Sequence, residues 1–435
     1  MKIIHFADLH LGIESYGVLN PQTGLSARLE DFLSAFDKLV EYAVSEGVEL
    51  VLFCGDAYQR KDPTQTYQRE FAGRLMKLSR AGIPVVLVPG NHDLHPSPNK
   101  ASSVDIFSVL TAPNGNAAAT HVRGEGTEET SQAPVYTSRR PQVFNIPTRN
   151  GKVQVLSVPW LWRSSLTAKE EYKALSYDSL NQEMSGIVTE LVGRESQSIS
   201  SDSPAILASH LWVTGSKLGS EQSYTLERDY SLLPSSLALS AFDYVALGHI
   251  HSRQSFALDP PVVYAGSLER IDFSDEGIPK GFYLVEIDES KPRERRKTQY
   301  KFIELPARKF ISIDMKAAAD DANPQASLMQ EMARRQEEVK DAIVRLNIQW
   351  PHPHQLRPAD QEIRKSLSGA FLVAIIKWDM TQSAGGRLRL AGDPCTLSPL
   401  DALGEYLKVR QTSSQEAAEL RSYAEKLLRE IEQPT

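Results

Sequence analysis

The chain has 435 residues, too many for one compact core at roughly 100–200 residues per domain. Apolar residues make up 41% and charged residues 24%, which excludes a disordered chain, and a net charge of −7 lends bulk electrostatics no part in holding a polyanion. No apolar run reaches the ~18 residues of a membrane span, and Cys54 and Cys395 alone exclude a disulfide framework and a thiolate zinc site, fitting a reducing cytoplasm.

In chain order, Lys2–Phe6 reads as a short strand, too brief for a signal-peptide core, ending at Ala7-Asp8-Leu9-His10. Leu29, Phe32, Leu33, Phe36, Leu39, Val40, Ala43 and Val44 come next at helical spacing, and Leu33 and Phe36 suit either a core or a homodimer face. Val48–Cys54 is, Glu49 apart, a continuous apolar run, as in a strand buried on both faces, and stops at Gly55-Asp56. Tyr67, Phe71, Leu75 and Leu78 mark a second helix ended by Gly82, and Pro84–Val88 is a third strand stopping at Gly90-Asn91-His92-Asp93. Thr111–Pro141 has little periodicity and reads as loops with room for a hairpin. Val153–Val158 resumes as a strand, Lys169–Glu195 is mostly helical, and Ser196–Ser203 is a polar linker.

Ala205–Ala208 and Tyr244–Leu247 are short buried strands ending at Ser209-His210 and at Gly248-His249-Ile250-His251, with Val262–Tyr264 and Phe282–Ile287 completing the group. The charged stretch Glu289–Lys301 marks a boundary. Beyond it Phe310–Asp314, Val344–Trp350 and Phe371–Trp378 read as strands separated by helices near Gln325–Lys340 and Pro358–Leu367. Two helical stripes end the chain, Leu403, Tyr406 and Leu407, then Leu420, Tyr423, Leu427, Leu428 and Ile431, separated by Thr412-Ser413-Ser414 as helix break and N-cap. The expected division is 1–290, 300–395 and 398–435.

Five of the ten histidines lie in strand-end turns: His10, His92, His210, His249 and His251. His5, His95, His121, His352 and His354 do not, and His352 and His354 flank Pro353 as surface residues. A lone histidine is usually structural, but polar turns after five apolar strands describe one ligand-binding edge of an α/β sheet. Imidazole, carboxylate and amide oxygen together suit Mn²⁺, Fe²⁺ or Zn²⁺. Two such cations ~3.5–4 Å apart clamp the attacking and leaving oxygens of a displacement at phosphorus.

These ordered motifs resemble the calcineurin-like metallophosphoesterase superfamily, an α/β fold with a two-sheet αββα sandwich core. The resemblance implies Asp8, His10, Asp56 and His251 on one metal and Asp56, Asn91, His210 and His249 on the other, with Asp56 as bridge. It implies that His92 is no ligand but stabilises the phosphoryl group and protonates the leaving 3′-oxygen. Asp93 either orients His92 or caps a turn.

Ile4–Gly12 and Tyr264–Phe273, then Lys280-Gly281-Phe282, resemble SbcD-type DNA repair nuclease subunits more closely, over residues 1–290 and more weakly beyond. That resemblance implies a Mn²⁺-dependent DNA nuclease, 3′→5′ on duplex ends and endonucleolytic on single strands and hairpins. It also implies a DNA-capping domain at 300–395, and terminal helices docked on the coiled coil of an SbcC-type ATPase in the bacterial cytoplasm at the nucleoid. Leu9 departs from the family's frequent Trp, and Gln59 stands where relatives often carry His or Asp, near the DNA path.

Arg293, Arg295, Arg296 and Lys297 are either a solvated face or phosphate contacts, as are Arg139-Arg140. Pro159-Trp160-Leu161-Trp162-Arg163 is either core packing or a base-stacking platform. Two other functions use the same features: a phosphodiesterase or phosphatase for a small or protein substrate, and a DNA-end scaffold with little hydrolysis.

Overall fold

The computed structural model describes residues 1–97, 99–112, 132–167, 172–173, 175–219, 229–318, 320–350, 357–380, 398–409 and 412–432. His121, His352, His354 and Cys395 lie outside them, as does most of the irregular stretch after Thr111. The chain divides into two compact units, residues 1–311 with 341–343, and residues 312–340 with 344–435. Among the described residues no helix is long and apolar enough to cross a membrane.

The first unit opens with β1 (Lys2–Phe6), α1 (Ala27–Ser45), β2 (Leu50–Phe53), α2 (Gln65–Arg80), β3 (Val85–Leu87), α3 (Asp105–Thr111) and β4 (Val135–Thr137). It continues with β5 (Gln142–Pro147), β6 (Lys152–Val158), α4 (Ser164–Thr167), α5 (Tyr177–Ser196), β7 (Ala205–His210), β8 (Trp212–Val213) and β9 (Ser231–Leu232). β10 (Tyr244–Gly248), β11 (Gln254–Phe256), β12 (Val262–Tyr264), β13 (Lys280–Ile287) and β14 (Thr298–Leu305) complete it.

Two six-stranded sheets result, ordered β14-β13-β1-β2-β3-β4 and β11-β12-β10-β7-β6-β5. β1 to β4 run parallel to one another, as do β6, β7, β10 and β12, so their C-terminal ends share one edge in each sheet. Ile3, Leu50, Leu52 and Val86 of one sheet meet Val155, Ile206, Ala246 and Val263 of the other in a dry inner core. α1 and α2 cover the outer face of the first sheet through Phe32, Phe36, Phe71 and Leu75. α5 covers the second through Met184, Val188 and Val192. The fold is the expected αββα sandwich, and parallel strands buried on both faces are why β2 and Ala205–Ala208 of β7 read as unbroken apolar runs.

Several expectations need correction. The charged stretch after Glu289 is a hairpin tip, because Thr298–Leu305 pairs along the whole of β13, so the first compact unit extends past residue 290 to 311. Leu33 and Phe36 are 4% and 0% exposed and serve the core, not a dimer face. Part of the irregular region forms β4, which joins the first sheet beside β3.

In the second unit, β15 (Phe310–Lys316), β16 (Ile343–Gln349) and β17 (Leu372–Asp379) form a three-stranded sheet, its first residues shared with the boundary. α6 (Pro324–Arg334) and α7 (Asp360–Ser366) accompany it. α6 starts at Asn323, whose side chain caps Ala326 N–H, and stops at Arg334, short of the Lys340 expected from periodicity. α8 (Pro399–Val409) and α9 (Ser414–Glu432) end the chain, with Ser413 Oγ accepting from Glu416 N–H at the start of α9.

The two sheets touch at Gly248. A Cβ built there would collide with the carbonyl oxygen of Cys54 and lie 2.9 Å from the Ala7 Cβ. Gly248→Ala is therefore expected to cost about 3 kcal/mol of stability through forced sheet separation. Gly186→Ala, on the open face of α5 with nothing within 4 Å, is expected to gain about 0.5–1 kcal/mol. Urea midpoints of the two variants against the parent check both signs.

Candidate metal centre

The strand ends converge because each chain segment turns sharply on leaving its sheet. Asp8 (φ 52°), His10 (φ 47°), Asp56 (φ 61°) and His249 (φ 97°) all have the positive φ that non-glycine residues avoid. Cross-links hold them there. Asp8 N–H donates to Gly55 O at 3.0 Å, His10 N–H to Asp56 O at 2.9 Å, and His249 N–H to both Asp8 carboxylate oxygens at 3.1 Å. Gly90 packs so closely that a Cβ there would sit on Asp56 Oδ1.

All seven proposed ligands lie in this one place. Three groups have donor atoms within 4.8 Å of one another: Asp8, His10 and His251; His10, Asp56 and His92; Asp8, Asp56 and His210. Asp56 Oδ2 lies 3.4 Å from His210 Nε2 and 3.6 Å from His10 Nε2, a central position between the two halves. Asn91 Oδ1 is 3.0 Å from His210 Nε2. His249 meets the others through its main chain and through its ring, 5.1 Å from that of His210.

The donor set fits divalent cations. His210 Nδ1–H donates to Cys54 O at 2.7 Å, which leaves Nε2, 3.0 Å from Asn91 Oδ1, as the nitrogen that takes a second proton or a cation. His10 Nε2 and His251 Nε2 face each other at 3.0 Å. Lone pairs in such positions need a proton or a cation between them. Among the described residues, His10 Nδ1 and His249 Nε2 are buried with no hydrogen-bond partner. Burial pushes His10 and His249 down to about 3, leaving neutral imidazoles suited to metal binding. Burial also opposes charge on His210, but Asp56 beside it outweighs this and raises it to about 9. Burial likewise opposes ionisation of Asp56, yet His210 and His92 hold it well below the usual carboxylate range.

His92 sits at the mouth of the cluster, half-buried, its ring edge-on to His10 with centroids 5.0 Å apart. Its Nδ1–H donates to Gln59 O at 2.8 Å and its main-chain N–H to Asp56 Oδ1 at 2.9 Å. Asp93 does not orient it. The Asp93 carboxylate is buried and accepts from Asp56 N–H (2.8 Å), Ala57 N–H (3.0 Å) and Gly90 N–H (3.0 Å). Of its two readings, the bonds are those of the cap, which ties the β2 turn to the β3 turn.

The basic cluster is far from this edge. Ile287 N–H donates to Met1 O, so Arg293–Lys297 come after β13 at the edge where β1 begins, opposite the histidines. Arg296 is held in a buried ion pair with Asp243 at 3.0 Å, their side chains 2% and 4% exposed, and Arg293 binds Ser200 O. Both are structural. Arg295 and Lys297 remain exposed on the wrong side. Trp160 is packing, 4% exposed, its ring 5.0 Å from His249 and 5.5 Å from Tyr230, and Lys61 covers the Trp162 face at 4.4 Å. Sequence reading missed Asp229, whose Oδ2 lies 3.7 Å from His249 Nε2, because nothing in its loop marks it.

The calcineurin-like phosphoesterase family model matches residues 1–253. The chain belongs to that family. It is thereby a hydrolase of the metallophosphoesterase class. Among solved structures, a dimetal phosphatase from Danio rerio aligns at 12% identity with a TM-score of 0.34, over 68% of this chain and 98% of that one.

Asp93→Ala orphans three buried main-chain donors and is expected to cost about 3 kcal/mol or more. His92→Ala, at the half-buried mouth, is expected to cost under about 1 kcal/mol. Paired denaturation curves separate cap from surface group.

Proposed function

We propose that the chain is a Mn²⁺-dependent DNA nuclease, the nuclease subunit of an SbcCD-type repair complex. The observation that carries the reading is the second compact unit, appended to the phosphoesterase core. That unit, 312–340 with 344–435, ends in helices with exposed apolar side chains, Leu420 at 44%, Tyr423 at 71% and Leu427 at 57%. Hydrolysis of a small phosphate ester needs neither the unit nor the exposed stripe. The likeness of Ile4–Gly12 and Tyr264–Phe273 to SbcD-type subunits supports the assignment.

Asp8, His10, Asp56 and His251 would hold one cation, and Asp56, Asn91, His210 and His249 the other. Bound there, two divalent cations supply charge neutralisation and an activated water for displacement at phosphorus. Four imidazoles among seven ligands favour Mn²⁺ over Mg²⁺. His92 keeps Nδ1–H on Gln59 O, so the proton for the leaving 3′-oxygen comes from Nε2. The second unit, before its terminal helices, caps the DNA, and α9 docks its stripe on the coiled coil of an SbcC-type ATPase, as amphipathic helices do in apolar grooves.

End-labelled duplex should be degraded in Mn²⁺ and far more slowly in Mg²⁺ freed of transition metals. Hydrolysis of a phosphodiester chromogen without DNA cleavage would leave only the family activity. His92→Ala should lose on the order of 10²–10⁴ in rate while retaining both metals. Removing residues 398–435 should preserve Mn²⁺ cleavage of single strands and abolish co-purification with the ATPase.

A further inference from the structure

The stretch Tyr264–Phe273 and Lys280 lies outside the family match, which ends at residue 253, and contributes nothing to the donor cluster. It nevertheless packs against the back of the His251 turn. Gly266 has φ 76°, and a Cβ there would come within 2.8 Å of both His251 O and Arg253 N, so a side chain would push the two segments apart. Ser267 N–H donates to His251 O at 3.2 Å. Ser267 also forms a parallel bridge with Ala7, the residue before Asp8.

Lys280 opens β13 and turns its ammonium inward, 1% exposed. Nζ donates to His251 O at 3.0 Å and to Ser267 Oγ at 2.8 Å, and faces Asp275 Oδ1 at 3.0 Å. Two hydrogen bonds and one ion pair surround the ammonium. Asp275 is fully buried, and its second oxygen accepts from Ile271 N–H at 2.9 Å. A buried ion pair is weak support for stability, because desolvation offsets the attraction. Its geometric effect here is definite: the carbonyl of His251 is held by two donors, and one of them is anchored to a different strand.

We infer that Lys280 is a positioning residue of the metal centre, fixing His251 through its main-chain carbonyl, with Asp275 and Ser267 holding the ammonium. The inference rests on His251 being a ligand. It gives the Gly266–Asp272 stretch a role: a strap that sets the second histidine of Gly248-His249-Ile250-His251 opposite His10.

The test uses the full chain and Mn²⁺ alone, titrated to resolve two binding steps, with melting temperature recorded beside it. Lys280→Met alone strands Asp275, so the decisive variant is Lys280→Met with Asp275→Asn, which removes both charges, nearly keeps volume and leaves an acceptor for Ile271 N–H. The expected result is a loss of about 10-fold or more in affinity at one Mn²⁺ step, the same step His251→Ala removes, with the other step and the melting temperature little changed. Unchanged affinity at both steps, while His251→Ala loses one, overturns the inference and leaves the ligand assignment standing. An equal loss at both steps with a lowered melting temperature overturns it as a purely structural effect. If His251→Ala itself keeps both steps, the ligand assignment fails and the inference with it.

Discussion

The site depends on how closely two sheets approach at one edge. Elsewhere Ile, Leu and Val side chains keep the sheets apart, but at the C-terminal ends of β2 and β10 the backbones meet, Gly248 against the Cys54 carbonyl. That contact lets His210 Nδ1 reach Cys54 O and lets Asp8, from the first sheet, accept the main-chain N–H of His249, from the second. Neither sheet alone owns the centre. Asp8, His10, Asp56 and Asn91 come from one, and His210, His249 and His251 from the other. His5 adds a further stitch, its ring bound to Tyr244 Oη at 3.0 Å and Leu247 O at 3.1 Å across the gap.

Convergence has an energetic cost that the site's own groups offset. Four positive-φ residues at about 1–3 kcal/mol each would destabilise an unsupported loop set. The Asp93 carboxylate takes three main-chain donors of these turns, and the Asp8 carboxylate takes a fourth. Carboxylates accepting N–H groups form the stronger class of hydrogen bond. Two of the acidic residues that look catalytic in the sequence are thus also the supports of the turns that carry the histidines.

The layers of the first unit were legible because parallel strands leave unbroken apolar runs and amphipathic helices leave a stripe. The strand-end positions of Asp8, His10, Asp56, Asn91, His210, His249 and His251 were legible for the same reason, since a run that stops at a polar turn marks its own edge. Asp93 was ambiguous because an acidic residue after a histidine reads alike as orienter and as cap; only the direction of its carboxylate separates them. The Arg293–Lys297 cluster was ambiguous because charge density along a chain says nothing of which sheet edge it occupies. That depended on β14 pairing with β13, hidden by a strand whose exposed residues, such as Gln299 and Lys301, are polar. Lys280 stands in a stretch that carries the family resemblance, yet its buried ion pair was invisible, since Asp275 and Ser267 reach it only through tertiary folding.

The electrostatics then bear on how an acidic chain could hold a polyanion. With Arg296 and Arg293 occupied on the far edge, the charge at the mouth of the centre is set by Asp8 and Asp56 against the imidazoles. The acidic residues repel phosphate. Divalent cations held there would reverse that sign locally, since bound ions are commonly the largest charges in a site. Under the proposed function, phosphate affinity and metal loading become one linked equilibrium: whatever factor the cations add to substrate binding, substrate returns to cation binding. On that reading the net charge of the chain has little bearing on its substrate, and the local arrangement of the seven proposed ligands at one sheet edge has nearly all of it.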